Sequence, residues 1–268
     1  MRTSLSRATK PPVDAVNALT SLHDSSPDSG ETTLRALSKR AFDLLFSFVG
    51  LTVLLPLGIC IAALIKAADR GPVFYGQIRV GQFGKPFRIW KFRSMRVDAD
   101  GHGLHITRDR DPRITRVGRF LRKTKLDELP QLWNVLVGQM SFVGPRPEVP
   151  KYVALYTAEQ RKVLQLKPGI TDVASIEFRD EEAFLEAAPD VESAYVNYCI
   201  PRKIELNQHY ARTASLLNDL RVILRTVSAV GFRGKAARHP AIPLRDVSQA
   251  GRSRGNREET RKPSESGL

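Results

Sequence analysis

A run of 22 residues without a charge, residues 44–65, constrains what this chain can fold into more than any other feature. As an α-helix it would be about 33 Å long, close to the roughly 30 Å thickness of a bilayer's hydrocarbon core. A buried helix of a soluble protein is the alternative, but apolar runs in such helices are usually shorter. The run therefore predicts a membrane helix.

The residues around this run bear on whether the helix crosses the bilayer. Lys39 and Arg40 precede it, and Lys66 and Arg70 follow it. Basic flanks tend to stay on the cytoplasmic side, so two of them favour a helix that enters and returns to the same face. Pro56 lies within the run, where it removes a backbone donor and breaks or kinks a helix. A straight span with a proline kink is equally compatible with these residues.

The charge of the chain indicates anionic partners. There are 42 Lys and Arg residues against 28 Asp and Glu residues, a formal net charge of +14. Residues 66–125 hold sixteen basic and five acidic residues, a net of +11, next to the apolar run. Basic charge beside a membrane helix suits anionic membrane lipid or phosphorylated substrates. The two cysteines form no disulfide framework, which is typical of a reducing compartment.

Composition divides the chain into four parts. Residues 1–38 are polar and rich in Ser, Thr, Asp and Pro, which predicts a disordered leader. The membrane helix with its flanks takes residues 39–70, a folded domain takes residues 71–232, and a basic disordered tail takes residues 233–268.

The expected fold class is α/β, mostly helical with one small β-hairpin region. Residues 72–95 hold β-prone stretches punctuated by Gly and Pro, which predicts the hairpin, and residues 98–113 form a polar loop. Residues 216–227 carry one apolar helical face. That helix either packs on the core, the commoner case, or lies on the membrane surface.

Residues 124–137 predict an amphipathic helix that begins beside two carboxylates. Apolar residues recur at helical spacing from Leu129 to Leu136. Because Pro130 is tolerated only in a first turn, the helix should begin near Asp127, with Asp127 as its N-cap.

Asp127 and Glu128 are the candidate catalytic residues. An Asp-Glu pair is usually a solvated surface pair, but at a helix start the backbone N–H groups and the dipole favour negative charge. A carboxylate there stays ionised, so it is available as a nucleophile or a metal ligand. Adjacent carboxylates also suit Mg²⁺, which fills its remaining positions with phosphate oxygens and water.

Four cations are candidate phosphate ligands, since Lys and especially Arg bind phosphate oxygens. They are Lys91, Arg93, Arg122 and Arg146. A solvated or lipid-facing cation is the alternative for each; it is strongest for Arg122 and weaker for Arg146, which lies between two prolines. The sequence has no GxxxxGK[ST] phosphate loop, no GxGxxG fingerprint and no Cys/His cluster with zinc spacing.

Several stretches resemble, in order, the motifs of the monotopic phosphoglycosyl transferases, the bacterial sugar transferases that start glycan assembly on undecaprenyl phosphate. They read KRAFD at 39–43, QIRVG at 77–81, GKPF at 84–87, IWKFRSM at 89–95, LDELPQLWNVL at 126–136, MSFVGPRP at 140–147 and KPGIT at 167–171. The likeness covers residues 39–227, and motifs in a shared order are far more specific than any one alone.

The resemblance implies a mechanism and a location. Asp127 would attack the sugar-bearing phosphate of a UDP-sugar, expel UMP and form a phosphosugar-aspartate, from which undecaprenyl phosphate takes the phosphosugar. Glu128 would bind Mg²⁺ or assist proton transfer, two roles left open, and Arg146 would grip phosphate. The family's apolar helix is re-entrant. Residues 71–232 would therefore be a cytoplasmic catalytic domain with interfacial helices at the bacterial inner membrane, initiating exopolysaccharide, capsule, O-antigen or glycoprotein glycan assembly.

The sequence departs from the family at two places. Leu55 stands where the family often has Ser, whose hydroxyl could satisfy backbone groups freed at the helix break. The family's common PGITGWAQ reads PGITDVAS at 168–175, in a region expected near the nucleotide or sugar, so the identity of the sugar does not carry over. Larger members have an additional membrane-spanning N-terminal part, for which residues 1–38 are too short and polar.

The alternative function is a non-catalytic, membrane-anchored basic protein that binds anionic lipid or nucleic acid. It accounts for the charge and the apolar run. It does not account for a carboxylate pair among sixteen cations or for the ordered motifs, so nucleic acid is not an expected partner. A retaining glycosyltransferase, which would release UDP rather than UMP, is a further alternative. The sugar and the oligomeric state stay open.

Overall fold

The computed structural model describes residues 31–97, 111–179 and 181–231. The first 30 residues of the predicted leader, most of the predicted polar loop and the predicted tail lie outside the described residues. The described part is mostly helical and contains two small two-stranded sheets. This agrees with the predicted α/β class.

Two helices of the N-terminal region meet at a bend. Helix α1, Glu31–Val53, and helix α2, Leu55–Ala68, are inclined by 57°. The break falls at Leu54, and Pro56 lies in the first turn of α2, where its missing N–H needs no partner within the helix. No single helix of the described residues is long and apolar enough to cross a membrane, whereas the bent pair together meets that test.

Helix α1 extends further towards the N-terminus than the predicted boundary at residue 39. Residues 31–38, assigned to the leader by composition, form its first turns. They read ETTLRALS and contain neither Gly nor Pro, so nothing in them breaks a helix that the apolar run propagates upstream.

The predicted hairpin is confirmed. Strand β1, Phe74–Val80, pairs antiparallel with strand β2, Pro86–Phe92, with Phe74 opposite Phe92. In the connecting turn Phe83 and Gly84 have positive φ angles of 56° and 74°. Such angles favour glycine, and here they reverse the chain in a few residues.

The segment with the carboxylate pair differs from the prediction. Helix α3, Arg116–Thr124, leads into a 3₁₀ turn, Leu126–Glu128, and helix α4, Gln131–Leu136, starts only after Pro130. The predicted helix start near Asp127, with Asp127 as N-cap, is therefore wrong. Leu129 and Pro130 themselves have αR backbone angles, but proline has no N–H to donate to a preceding carbonyl, so regular α-helical bonding begins after Pro130.

The rest of the domain consists of short helices beside a parallel pair of strands. Strand β3, Ser141–Val143, pairs with strand β4, Gly169–Thr171. The helices are α5 Pro150–Val153, α6 Ala158–Arg161, α7 Val173–Glu177, α8 Glu181–Glu186, α9 Val191–Ala194, α10 Ile200–Thr213 and α11 Leu216–Gly231. The main cluster of buried apolar side chains lies among α5, α9, α10 and the end of β1.

Helix α11 packs on the core with only part of its predicted apolar face. Val222 is 6% exposed, and Ile223 packs in the same apolar cluster as Val143 of β3. Polar contacts add to this docking, because Asp219 bonds to α1 and α10, and Thr226 shares a hydrogen bond with β4. The leucines of the face stay outside the core, since Leu217 and Leu224 are both 58% exposed. The predicted core packing is therefore confirmed for Ile223 and not for these leucines.

Candidate active site

Asp127 and Glu128 lie side by side in the 3₁₀ turn between α3 and α4, and both are buried. The chain enters this turn through Lys125, whose φ of 58° is in the left-handed region that non-glycine residues rarely adopt. Strained backbone of this kind concentrates at functional sites. The carboxylate pair is thus held inside the domain by a tight turn.

Two cations hold the Glu128 carboxylate. Lys91 Nζ lies 3.0 Å from Glu128 Oε1, and both terminal guanidinium nitrogens of Arg146, Nη1 and Nη2, donate to the same carboxylate. Burial alone would raise the pKa of Glu128, but the charges of Arg146 and Lys91 outweigh it and hold that pKa well below its usual range. Glu128 is therefore ionised and occupied.

Asp127 is in the opposite situation. Its Oδ1 is buried and has no hydrogen-bond partner among the described residues. Burial raises the pKa of the Asp127 carboxyl, the charge of Lys91 opposes that rise, and the neighbouring charge of Glu128 adds to it. Burial therefore works against the ionised form of Asp127, and the charge of Lys91 favours that form. An unpartnered buried oxygen beside fixed cations is suited to attack a phosphorus or bind a metal.

Lys91 is positioned by the contact between β2 and α4. Asn134 of α4 is fully buried, and its side chain bonds to the strand backbone at two residues that precede Lys91. Its Oδ1 accepts from Trp90 N at 3.1 Å, and its Nδ2 donates to Arg88 O at 2.8 Å. The helix that follows the carboxylate pair is thereby fastened to the strand that carries the lysine.

Arg146 is positioned by a loop, residues 144–147, that lies against the parallel strands. Gly144 and Gly169 touch so closely that a Cβ on either would lie 2.2 Å from the other segment's backbone. Both positions therefore require glycine. Gly144 N donates to Thr171 O at 3.1 Å, and Arg146 N donates to Asp172 Oδ2 at 3.3 Å.

Sequence reasoning missed the part that helix α1 plays in this site. Arg40 donates to the carbonyl oxygens of Val135 and Leu136 at 2.7 and 2.8 Å, at the end of α4. Asp43 accepts from Ser141 Oγ and Phe142 N, both at 3.1 Å. A cation satisfies the last carbonyls of a helix and complements its dipole. The KRAFD stretch marked these residues, but their partners are almost a hundred residues away.

Arg93 and Arg122, two of the candidate phosphate ligands, lie in different surroundings. Arg93 is buried, donates to Asp69 O at 2.8 Å and pairs with the Asp69 carboxylate, so its described contacts lie at the end of α2. Arg122 was the weakest phosphate candidate, yet its charge lowers the pKa of Asp127. The structure thus groups Lys91, Arg146 and Arg122 around the carboxylate pair and leaves Arg93 with Asp69.

The carboxylate oxygens of the site determine how it could bind Mg²⁺. In the described part of the chain no three His, Cys, Asp or Glu side chains are close enough to hold a metal together. Mg²⁺ needs only one or two protein carboxylates when substrate phosphates supply other ligands. The unpartnered Oδ1 of Asp127 suits such a role, whereas Glu128 would have to share its oxygens with Lys91 and Arg146.

The site thus combines a buried carboxylate, one oxygen of which has no hydrogen-bond partner among the described residues, with a second carboxylate that holds cations in place. Lysine ammonium groups and bidentate arginine guanidinium groups recognise phosphate. A model of the family described as "Bacterial sugar transferase" matches residues 34–233, about three quarters of the chain. The chain belongs to this family. The match contains every side chain of the site described above.

Relatives of this bacterial sugar transferase include proteins named for a particular donor. It is 36% identical over 218 residues to a UDP-glucose:undecaprenyl-phosphate glucose-1-phosphate transferase of Escherichia coli (strain K12), covering 78% of this chain and 43% of that protein. It is 35% identical over 198 residues to a UDP-N-acetylgalactosamine-undecaprenyl-phosphate N-acetylgalactosaminephosphotransferase of Aeromonas hydrophila, covering 73% and 44%. The chain thus spans less than half the length of these two relatives.

A third relative is closer in length. The exopolysaccharide production protein ExoY of Rhizobium meliloti (strain 1021) is 36% identical over 209 residues, which cover 72% of this chain and 85% of ExoY. Sugar transferases with different named sugars are therefore similar to this chain at nearly the same identity. Overall identity does not choose the sugar.

Proposed function

We propose that this protein is a phosphoglycosyl transferase that moves a sugar 1-phosphate from a UDP-sugar to undecaprenyl phosphate. The observation that carries the proposal is the contrast between the two buried carboxylates. Lys91 and Arg146 both donate to the Glu128 carboxylate, whereas Asp127 Oδ1 has no hydrogen-bond partner among the described residues. The names of the relatives support the donor and acceptor classes.

The proposed reaction has two displacement steps. An oxygen of the Asp127 carboxylate attacks the sugar-bearing phosphorus, the phosphorus–oxygen bond to UMP breaks, and UMP leaves with that bond's electron pair. An oxygen of undecaprenyl phosphate then attacks the same phosphorus, and the aspartyl–phosphate bond breaks to regenerate Asp127. Lys91 and Arg146 neutralise phosphate charge in both steps, which is the main contribution a protein makes to phosphoryl transfer.

Glu128 acts in this proposal by holding the cations. Burial lowers the pKa of the Lys91 ammonium group, and the charge of Glu128 opposes that fall. Mg²⁺ would be held by Asp127 and Glu128 together with phosphate oxygens, and would neutralise the charge of the leaving phosphate.

The proposed location is the bacterial inner membrane, with the catalytic domain facing the cytoplasm. Large apolar side chains are exposed along α1 and α2, for example Phe48 at 62% and Ile59 at 62%. The leucine face of α11 is exposed as well, and Asp219 ties this helix to Lys39 of α1. Contiguous exposed apolar surface marks an interaction site, and a lipid bilayer suits a bent apolar helix pair. Arg221 and Arg225 on α11 would meet anionic headgroups.

The proposal is tested by nucleotide release. Purified wild-type protein, undecaprenyl phosphate and Mg²⁺ are incubated with a panel of UDP-sugars, beside the Asp127→Asn variant. Release of UMP by the wild type alone supports the reaction and identifies the sugar. Release of UDP would instead indicate a retaining glycosyltransferase. A folded protein that releases nothing from any donor would favour the non-catalytic anchor that binds anionic lipid.

A further inference from the structure

A cavity of about 250 Å³ lies between the loop that carries Arg146 and helix α10. Its wall includes Arg79, Arg146, Glu148, Tyr152, Tyr195 and Asn207. Because Arg146 lines the cavity and also binds Glu128, the cavity borders the candidate active site. The reaction described above gives a role to Arg146 but none to Glu148 and Asn207.

One group in the wall lacks a partner. Asn207 is 3% exposed, and its amide nitrogen donates to Asp172 Oδ2 at 2.7 Å and to Lys203 O at 3.0 Å. Its Oδ1 is buried and has no hydrogen-bond donor among the described residues. A buried acceptor without a donor is costly, so a ligand or water hydroxyl is needed there.

A second acceptor is only partly used. Glu148 Oε1 accepts from Val149 N at 2.8 Å and lies 3.5 Å from Arg79 NH1. Glu148 Oε2 accepts from the Tyr195 hydroxyl. A carboxylate offers about four acceptor positions, so Oε2 has capacity for a further donor. The wall thus offers Asn207 and Glu148 as acceptors for the hydroxyl donors of a sugar, beside cationic side chains that include Arg79, Arg146 and Lys203.

The size of the cavity narrows the choice of ligand. Its volume of about 250 Å³ is below the roughly 300–1,000 Å³ of sites that hold drug-sized ligands. It accommodates one ring and not a whole nucleotide sugar. Tyr152 and Tyr195, whose ring centroids are 4.9 Å apart, supply an aromatic surface against which a ring can pack.

We propose that this cavity holds the glycosyl group of the donor, with Asn207 and Glu148 accepting hydrogen bonds from its hydroxyls. The inference rests on the proposed function. In that reaction the sugar is attached to the phosphorus that Asp127 attacks, whereas the uridine is one phosphate further away. The ring-sized cavity that borders Arg146 is therefore the place for the sugar. Asn207 and Glu148 then contribute to the choice of sugar, since buried acceptors left unpaired disfavour a donor that lacks the matching hydroxyl.

A cavity-filling variant tests this assignment. Val163 is 5% exposed and lines the cavity, so Val163→Phe places a larger side chain into the space assigned to the sugar. Val153 is 1% exposed in the same apolar cluster but outside the cavity lining, so Val153→Phe is the matched control. The donor is UDP-glucose or UDP-N-acetylgalactosamine, whichever the wild type turns over faster. KM is measured for the donor, and the inhibition constant is measured for UMP.

We expect Val163→Phe to raise the KM for the donor at least about tenfold and to leave the UMP inhibition constant within about twofold. Val153→Phe should change neither the KM for the donor nor the inhibition constant of UMP. An equal loss for the donor and for UMP would assign the cavity to the uridine and overturn the proposal. An unchanged KM in a folded Val163→Phe protein would also overturn it.

A measurement on the wild type keeps the test decisive if Val163→Phe does not fold. Saturation-transfer NMR with the same donor should show stronger transfer to the sugar ring protons than to the uracil protons. The reverse order would refute the assignment. A wild type that turns over no donor but still saturates the sugar protons would refute the proposed function and leave the cavity assignment standing.

Discussion

Replacing each carboxylate of the pair by its amide should separate a loss of activity from a loss of stability. Asp127→Asn should lower UMP release at least about a thousandfold, because the amide is not a nucleophile. Its free energy of unfolding should stay within about 1 kcal/mol of wild type, because Asp127 Oδ1 has no hydrogen-bond partner to lose among the described residues and its carboxyl is already disfavoured in its ionised form. Membrane association should survive.

Glu128→Gln should destabilise the protein, because it leaves two neighbouring cations without their anion. Breaking a fully buried ion pair costs about 3–5 kcal/mol, and breaking an exposed one about 0–1 kcal/mol. The side chains of Glu128, Lys91 and Arg146 are 10%, 23% and 41% exposed. We therefore expect an intermediate loss of about 2–3 kcal/mol. For a domain of this size that corresponds to a fall in Tm of about 4–12 °C.

Thermal unfolding followed by tryptophan fluorescence checks both values. The chain has two tryptophans, Trp90 beside Lys91 and Trp133 in α4, so the signal reports on the site itself. Turnover of Asp127→Asn within about tenfold of wild type would refute the nucleophile assignment. A fall in Tm as large for Asp127→Asn as for Glu128→Gln would show that Asp127 has a structural partner.

Three further predictions concern the capping of α4, the protonation of Asp127 and the topology of the bent helix pair. Arg40→Met should cost about 1–3 kcal/mol and reduce turnover by uncapping α4, whereas Arg119→Met, an exposed control, should stay within about 0.5 kcal/mol; unfolding and UMP assays measure both. The acid limb of kcat/KM should lie above the ordinary carboxyl pKa of about 4, because Asp127 must lose a proton whose pKa burial raises. Lys91→Met should move that limb to higher pH, since it removes the charge that lowers the pKa; a shift to lower pH would contradict this. A single cysteine in residues 1–30 should resist labelling from the periplasm in wild type, and Pro56→Ala should increase labelling by straightening the helix pair; labelling of the wild type would refute the re-entrant topology.

Much of the architecture follows from local patterns. The hairpin follows from β-prone stretches bounded by Gly and Pro, and the bent helix pair follows from an uncharged run with Pro56 inside it. The expected N-cap at Asp127 failed because two local rules competed. Carboxylates favour helix starts, but Pro130 delays the α-helix past both carboxylates, and the tighter 3₁₀ turn takes their place.

The docking of α11 shows how far an apolar pattern predicts packing. Its apolar periodicity predicted the helix, and apolar faces usually pack on cores. Val222 and Ile223 do pack in an apolar cluster, and Asp219 and Thr226 add polar contacts to other elements. Which part of the face docks depends on these distant partners, so a helical wheel alone does not predict that the leucines stay exposed.

The sequence by itself determined the chemical inventory: the uncharged run, the adjacent carboxylates and the basic residues of the ordered motifs. Only the tertiary structure decided which cation pairs with which carboxylate. The pKa shifts follow from it, because they depend on burial and on neighbours brought from elsewhere in the chain. Lys91 and Arg146 both turn to Glu128, and Arg93 turns to Asp69. Asp127, which directly precedes Glu128 in the chain, is buried and has an oxygen without a hydrogen-bond partner among the described residues. Adjacent carboxylates look alike in sequence, and it is their different surroundings that give them different roles.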